Sequence, residues 1–308
     1  DVFSFDNIIN KFLEITLCHV DHVICVSAKC RENLISRTSL VAPPVVSTIP
    51  NAINSWEFMP DHTKRSPGYP SVNVVLLSRL VHRKGIDLVE RVLPAICQRY
   101  PQVHFIVGGD GPRYKQLDAM RSRHGLQKRV EMLGFVKPDK VRDVLVRGHI
   151  FLNCSLTESF CISLMEAASC GLKVVSTNVG GVPEVLPADL ITLAKPDTAS
   201  IVEALGAVIV ATLAEGGNSN GSGNSGGDQQ TASKIAEREA LQHERVKGLS
   251  SWMDVTLKTE SIYASVLGEK GEYRGTARRL CRHVRCSPWR ILSGSNLAAR
   301  PRFVGGCA

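Results

Sequence analysis

The sequence predicts an α/β protein in which a parallel, Rossmann-like sheet carries helices on both faces. Two observations lead there. From about residue 72 short β-rich apolar runs alternate with stretches of helical period, the signature of strands joined by helical crossovers. The basic, glycine-containing and acidic motifs all fall where such a run gives way to a helix, which is where open parallel sheets bind ligands.

Taken in order, "DHVICVS" (21–27), the helix-like "AKCRENLIS" and "VVSTIPNAI" (45–53) make one strand–helix–strand unit. It is too small to be a domain, so residues 1–59 read as the end of a preceding domain and its crossover. The segment "PDHTKRSPGYPS" (60–71) reads as a linker into a domain over 60–214. There "VNVVLLS" (72–78) is a strand, and 86–100 is a helix with Ile86, Val89, Leu93, Ile96, Cys97 and Tyr100 at helical spacing. Pro94 removes a backbone donor, which predicts a kink or an early end. "VHFIVGG" is the next strand, followed by a helix at 113–124, the strand "VEMLG", a helix at 139–147 and the strand "HIFLNCSL" (149–156). A helix carrying Glu166 leads to "KVVST" (173–177) and "LITLA" (190–194). "EGGNSNGSGNSGGDQQ" (215–230) lacks core-forming residues and reads as a flexible insertion, opening a segment that runs to 250. Helical spacing returns at 251–268, with Trp252, Val255, Ile262, Tyr263 and Val266, and 269–308 is a basic tail without period.

Composition narrows the function. With 44% hydrophobic and 21% charged residues the 308-residue chain reads as globular, and no uninterrupted apolar run reaches the roughly 18 residues of a membrane span. The net charge of +8 is local. Residues 273–308 hold eight Arg and no acidic residue, which leaves 29 basic against 29 acidic residues upstream. A nucleic-acid partner is not indicated, because the tail has no recognisable reading motif. None of the ten cysteines forms a C-x-x-C pair; several sit in apolar runs, as small buried hydrophobes do in a reducing compartment. The absence of D-x-D, H-E-x-x-H and P-loop patterns leaves no metal-dependent or P-loop reaction supported.

Four stretches bear on the chemistry. In "LLSRLVHRKGID" (76–87), Arg79 and Lys84 lie five apart in a short loop with Gly85 before a helix. A planar guanidinium, a mobile ammonium and free helix amides together suit a diphosphate, although a solvated basic loop has the same composition. "VGGDGPRYKQL" (107–117) and "STNVGGVPEVLP" (176–187) permit close backbone approach or form plain turns. In "LTESFCISLMEAASCG" (156–171), Glu158 and Glu166 would stand about 12 Å apart along a continuous helix and about 80° apart around it. A carboxylate pair that shares one glycosidic bond is closer, about 5–9.5 Å, so this pair suits two parts of a long ligand such as a nucleotide sugar. The bland reading is a helix N-terminus favouring Glu158 and a solvated Glu166.

Together "IPNAI", "SRLVHRKGIDL", "VGGDGP", "LGFV" and "SLTESFCISLMEAASCGLKVVSTNVGGVPEVLP" resemble the C-terminal half of a retaining GT-B glycosyltransferase, and within that family the branch that starts glycosylphosphatidylinositol anchors. The resemblance covers about 1–214 and resumes at 251–266. It implies the C-terminal half of a GT-B fold with a remnant of the N-terminal domain. It also implies transfer of N-acetylglucosamine from UDP-GlcNAc to the inositol 6-hydroxyl of phosphatidylinositol, with no cofactor or metal. Arg79 and Lys84 match the family's diphosphate ligands, Glu158 the acid at the donor sugar and Glu166 the ribose ligand. Gly109, Gly134, Phe135 and Val136 would complete the nucleotide site. Other subunits of a membrane-bound complex and the cytoplasmic face of the endoplasmic reticulum are implied in the same way. A related glucosyl- or mannosyltransferase and a non-catalytic scaffold are the competing readings. With most of the acceptor domain absent, the expectation is a chain that binds UDP weakly and does not turn over alone.

Overall fold

The computed structural model describes residues 5–17, 19–38, 45–64, 71–217 and 226–268. Two compact units divide the chain: Asp1–Asn51 together with the stretch from Met253 onward, and Ala52–Trp252.

In the first unit, helix α1 (Phe5–Leu17) precedes strand β1 (Val23–Cys25), helix α2 (Ala28–Arg37) and strand β2 (Val46–Thr48). The two strands pair in parallel, Val23 opposite Val46. Ser27 caps α2, its hydroxyl accepting from the Cys30 amide at 3.1 Å, which satisfies a donor that helix geometry leaves open. Leu17, Val23, Cys25, Leu34 and Val46 form a small core.

The second unit holds a six-stranded sheet: β3 (Val72–Leu77), β4 (Val103–Gly108), β5 (Val130–Gly134), β6 (Ile150–Asn153), β7 (Lys173–Thr177) and β8 (Ile191–Ala194). Every ladder is parallel and the spatial order is β5-β4-β3-β6-β7-β8. Chain order reverses between β3 and β6, and that crevice is the topological switch point. Helices α3 (Ile86–Arg99), α4 (Tyr114–Arg123), α5 (Val141–Leu145), α6 (Ile162–Ser169), α7 (Thr198–Gly217) and α8 (Gly226–Lys247) accompany the sheet; α9 (Trp252–Gly268) belongs, from Met253 on, to the first unit. The core joins Val74 and Leu76 of β3, Phe105 of β4, Leu152 of β6 and the buried face of α3.

Several expectations change. Pro94 does not end its helix, which runs on to Arg99. Val92, Leu93 and Ile96, fully buried on either side of it, outweigh one lost hydrogen bond. The strand expected over 149–156 is shorter, because Cys154 to Leu156 leave the ladder to meet the β3–α3 loop. Part of the expected linker is anchored, with the Lys64 ammonium donating to Asp143 Oδ1 at 3.5 Å and Arg142 paired with Asp61 at 3.9 Å; residues 65–70 lie outside the described residues. In the expected insertion, 215–217 close α7 and 226–230 open α8, while 218–225 and the basic tail lie outside the described residues. Helix α8 packs by Glu239, Gln242, His243 and Val246, and the Gln242 amide donates to the carbonyls of Ala168 and Leu172 at 2.7 and 2.8 Å. The window Thr198–Glu215 of α7, with mean hydropathy 1.6, is long and apolar enough to cross a membrane by length and composition, although Glu203 interrupts its apolar run. Its Ile201, Leu205 and Ile209 are buried in the core of the sheet domain.

Candidate active site

The site grows from the carboxyl ends of β3 and β6. After β3 the chain makes one tight turn, His82–Lys84, and reaches Gly85 at φ +69°, a left-handed conformation that costs a side chain about 1–2 kcal/mol. A β-carbon at Gly85 would lie 1.8 Å from the Cys154 carbonyl oxygen, so the turn sits directly on the end of β6. The Leu156 amide donates to the Arg83 carbonyl at 2.9 Å and closes the seam. Across it, the Lys84 ammonium forms an ion pair with Glu158 Oε1. Both side chains are largely sheltered, Lys84 at 19% and Glu158 at 13% exposure.

Glu158 lies in the loop before α6, which starts only at Ile162. The 12 Å separation of a continuous helix therefore does not apply to the two glutamates. Between them stands Cys161 at φ 77°, the one non-glycine residue with positive φ among the described residues; burial, with the Glu158 charge beside it, pushes its thiol up to about 11. The backbone at Glu158 is held from the β7 side. Its carbonyl accepts from the Gly181 amide at 3.0 Å, and a β-carbon at Gly180, φ +52°, would come within 2.0 Å of that oxygen. The Glu166 carboxyl, on α6, has no hydrogen-bond or ion-pair partner among the described residues, and burial raises it to about 7. Such a group gains from a ligand that donates hydrogen bonds to its ionised form.

Arg79 shares the β3 loop with Lys84 but is exposed, and its guanidinium has no acidic partner among the described residues. Gly109, at the end of β4, donates to the Gly134 carbonyl at 2.7 Å, which ties the glycine turn to the end of β5. Phe135 follows with its ring 71% exposed, an apolar surface beside these strand ends, and Val136 is half-buried. The expected site residues thus follow or close the carboxyl ends of β3, β4, β5 and β6, with Glu166 on α6 beyond the β6 loop. Lys84 and Glu158 are in direct contact, while the side chains of Arg79 and Glu166 make no hydrogen bond or ion pair with either of them among the described residues.

Sequence reasoning missed the polar support beneath Glu158. Asn153, Ser155, Ser176 and Thr177 are all buried at the ends of β6 and β7. The available signal was polar residues closing two otherwise apolar strands, "LNCS" and "VVST". A separate cavity of about 300 Å³, lined by Lys173, Asp189, Arg238 and Arg245 among others, lies at the amino ends of β7 and β8. It is away from the Lys84–Glu158 seam, which lies at the carboxyl ends of the strands. Among the described residues no group of three or more His, Cys, Asp or Glu is placed to hold a metal ion.

Comparison with known proteins bears on this arrangement. Residues 67–209 match the family model described as "Glycosyl transferases group 1". Among solved structures, a glycosyltransferase from Rickettsia africae superposes with TM-score 0.65 at 17% identity, over 86% of this chain and 69% of that one. The Anabaena protein HepE, solved with UDP and glucose, gives 0.62 at 21%, over 86% and 69%. The chain carries a group 1 glycosyl transferase domain, on the parallel α/β scaffold of GT-B glycosyltransferases. Curated relatives make the assignment narrower. The chain is 45% identical over 260 residues to the gpi3 subunit of phosphatidylinositol N-acetylglucosaminyltransferase from Schizosaccharomyces pombe, covering 84% of this chain and 52% of that protein. It is 44% identical over 280 residues to the corresponding Arabidopsis thaliana protein, covering 91% and 57%, and 43% identical over 257 residues to the human one, covering 83% and 48%. It is thus similar over most of its length to this subunit of phosphatidylinositol N-acetylglucosaminyltransferase, and it spans about half the length of the curated relatives it matches.

Proposed function

We propose that this chain supplies the donor-binding part of a retaining transferase that moves N-acetylglucosamine from UDP-GlcNAc to the inositol 6-hydroxyl of phosphatidylinositol, the first step of glycosylphosphatidylinositol anchor synthesis. The observation that carries the reading is the meeting of Lys84 and Glu158 at the β3/β6 switch point. A cation from one strand end and an acid from the next suit a pyrophosphate joined to a sugar. Arg79 and Lys84 bind the diphosphate, Glu158 accepts a hydrogen bond from a donor-sugar hydroxyl, and Glu166 accepts from the ribose. Gly109 and the Gly134–Val136 turn border the nucleotide.

In the reaction the anomeric C–O bond to UDP breaks as the inositol 6-oxygen bonds to the same carbon from the same face. The acceptor proton passes to the departing phosphate oxygen. Developing charge on UDP is met by the two cations, so a metal ion is not required. Glu158 Oε1 is engaged by Lys84 and hydrogen-bonded by Ser155, an arrangement that suits an acceptor for a sugar hydroxyl, and we take front-face displacement over a covalent glycosyl intermediate. The relatives are named as subunits, and we place this chain likewise in a multi-subunit complex at the cytoplasmic face of the endoplasmic reticulum.

The test is transfer of labelled N-acetylglucosamine to phosphatidylinositol by the complex containing this chain. Lys84→Ala is expected to lower turnover at least about 100-fold, the loss expected when charge stabilisation at a leaving group is removed. Unchanged turnover would remove the assignment. Inhibition by GDP rather than UDP would move the reading to a mannosyltransferase.

A further inference from the structure

Glu158 is held from below by a relay of buried polar side chains that runs across the carboxyl ends of β6 and β7. The Ser155 hydroxyl, fully buried, lies 2.7 Å from Glu158 Oε1 and 2.8 Å from Asn153 Oδ1. The Asn153 amide donates to Ser176 Oγ at 2.9 Å, and the Thr177 hydroxyl donates to the Ser155 carbonyl at 2.5 Å. Thr177 thus fixes the Ser155 backbone, and Asn153 is fixed by Ser176. Ser155 has one hydroxyl proton and two acceptors within reach. The ionised carboxylate takes it, because a hydrogen bond to a charged acceptor is about twice as strong as one between neutral groups.

Both contacts to the Glu158 carboxylate, from Lys84 and from Ser155, converge on Oε1. Oε2 has no partner among the described residues. We propose that Ser155 is a positioning residue for sugar recognition: with Lys84 it pins Oε1 and turns Oε2 toward the donor sugar as the single acceptor for a hydroxyl. Loss of the Ser155 proton frees the carboxylate to rotate about its terminal bond, and the orientation of Oε2 is lost before the charge is. The inference rests on the reading of Glu158 as the sugar ligand.

The test titrates this chain with UDP and with UDP-GlcNAc by NMR, which reads weak affinities, and records thermal melting of each variant. The two probes share every nucleotide contact and differ in the sugar. Ser155→Ala is expected to weaken UDP-GlcNAc about tenfold while leaving UDP affinity within about twofold, in line with loss of one charge-assisted hydrogen bond acting through a second residue. Ser155→Thr, which keeps the hydroxyl, restores most of the difference. Equal loss for both probes, or a fall tracking the melting temperature in both variants, would show a structural role and overturn the proposal. Unchanged UDP-GlcNAc affinity in Ser155→Ala, with Glu158→Gln still weakening it, would overturn the positioning role and leave the Glu158 reading intact. If Glu158→Gln also leaves UDP-GlcNAc affinity unchanged, the Glu158 reading fails and takes this proposal with it.

Discussion

The Lys84 ammonium is paired with the Glu158 carboxylate although 74 residues separate them, and the loops that carry them are joined by the Leu156–Arg83 backbone bond. Removing one member leaves the other sheltered and uncompensated, which costs more than the pair is worth. Lys84→Met and Glu158→Gln are each expected to destabilise the chain by about 1–2 kcal/mol, with the double substitution losing clearly less than the sum. Urea unfolding of the four proteins measures the coupling. Simple additivity would mean that the pair does not organise the site.

Arg79 should behave differently. It is exposed and makes no ion pair among the described residues, so Arg79→Ala is expected to leave stability within about 0.5 kcal/mol. Its UDP-GlcNAc affinity should nevertheless fall about tenfold, because the guanidinium is free for the diphosphate. A melting curve beside a binding titration separates the two effects. A stability loss without an affinity loss would place Arg79 in the scaffold instead.

Glu166 gives a pH signature. Its carboxyl titrates near 7 in the folded chain against a reference of 4.5, because it is buried. Between those values the native state binds more protons than the unfolded state, so stability falls as pH rises through the window. Glu166→Gln should match the unmodified chain near pH 4 and exceed it by about 1–3 kcal/mol at pH 8. A donor whose ribose hydroxyls favour the ionised form should bind more tightly as pH rises from 6 to 8, and Glu166→Gln should flatten that rise. UDP-GlcNAc is the suitable probe, since its pyrophosphate diester does not titrate there. A pH-independent affinity in the unmodified chain would contradict the ribose role.

Gly85 and Gly125 form a matched pair of backbone tests. Both have positive φ, +69° and +64°, but a β-carbon at Gly85 would collide with the Cys154 carbonyl, whereas at Gly125 nothing lies within 4 Å. Gly125→Ala should cost about 1 kcal/mol from conformation alone. Gly85→Ala should cost several times that, and it should displace Lys84 from Glu158. Chemical denaturation measures both costs; equal losses would mean that the β3 loop is not seated on β6.

Much of the fold was legible because the strands of the sheet are short apolar runs and the intervening helices have one buried face. "VEMLG" and "KVVST" match β5 and β7 residue for residue. Long-range packing was not legible. Pro94 signals a break that the fully buried residues around it override, and α8 is polar on most of its surface yet seats Gln242 against two backbone carbonyls. At the site, the residue types were readable from the motifs. The loop start of α6 was not, since Cys161 adopts a backbone conformation that its side chain disfavours. The serine–asparagine relay was hidden for a related reason. A polar residue at the end of a buried strand reveals its partner only when the neighbouring strand is in place.

The most direct test of the donor site is a crystal structure of this chain soaked with UDP-GlcNAc. The pyrophosphate is expected against Lys84 and Arg79, a sugar hydroxyl on Glu158, and the ribose on Glu166. A donor bound in the cavity lined by Lys173 and Arg245, or at any place that leaves the Lys84–Glu158 seam unoccupied, would contradict it.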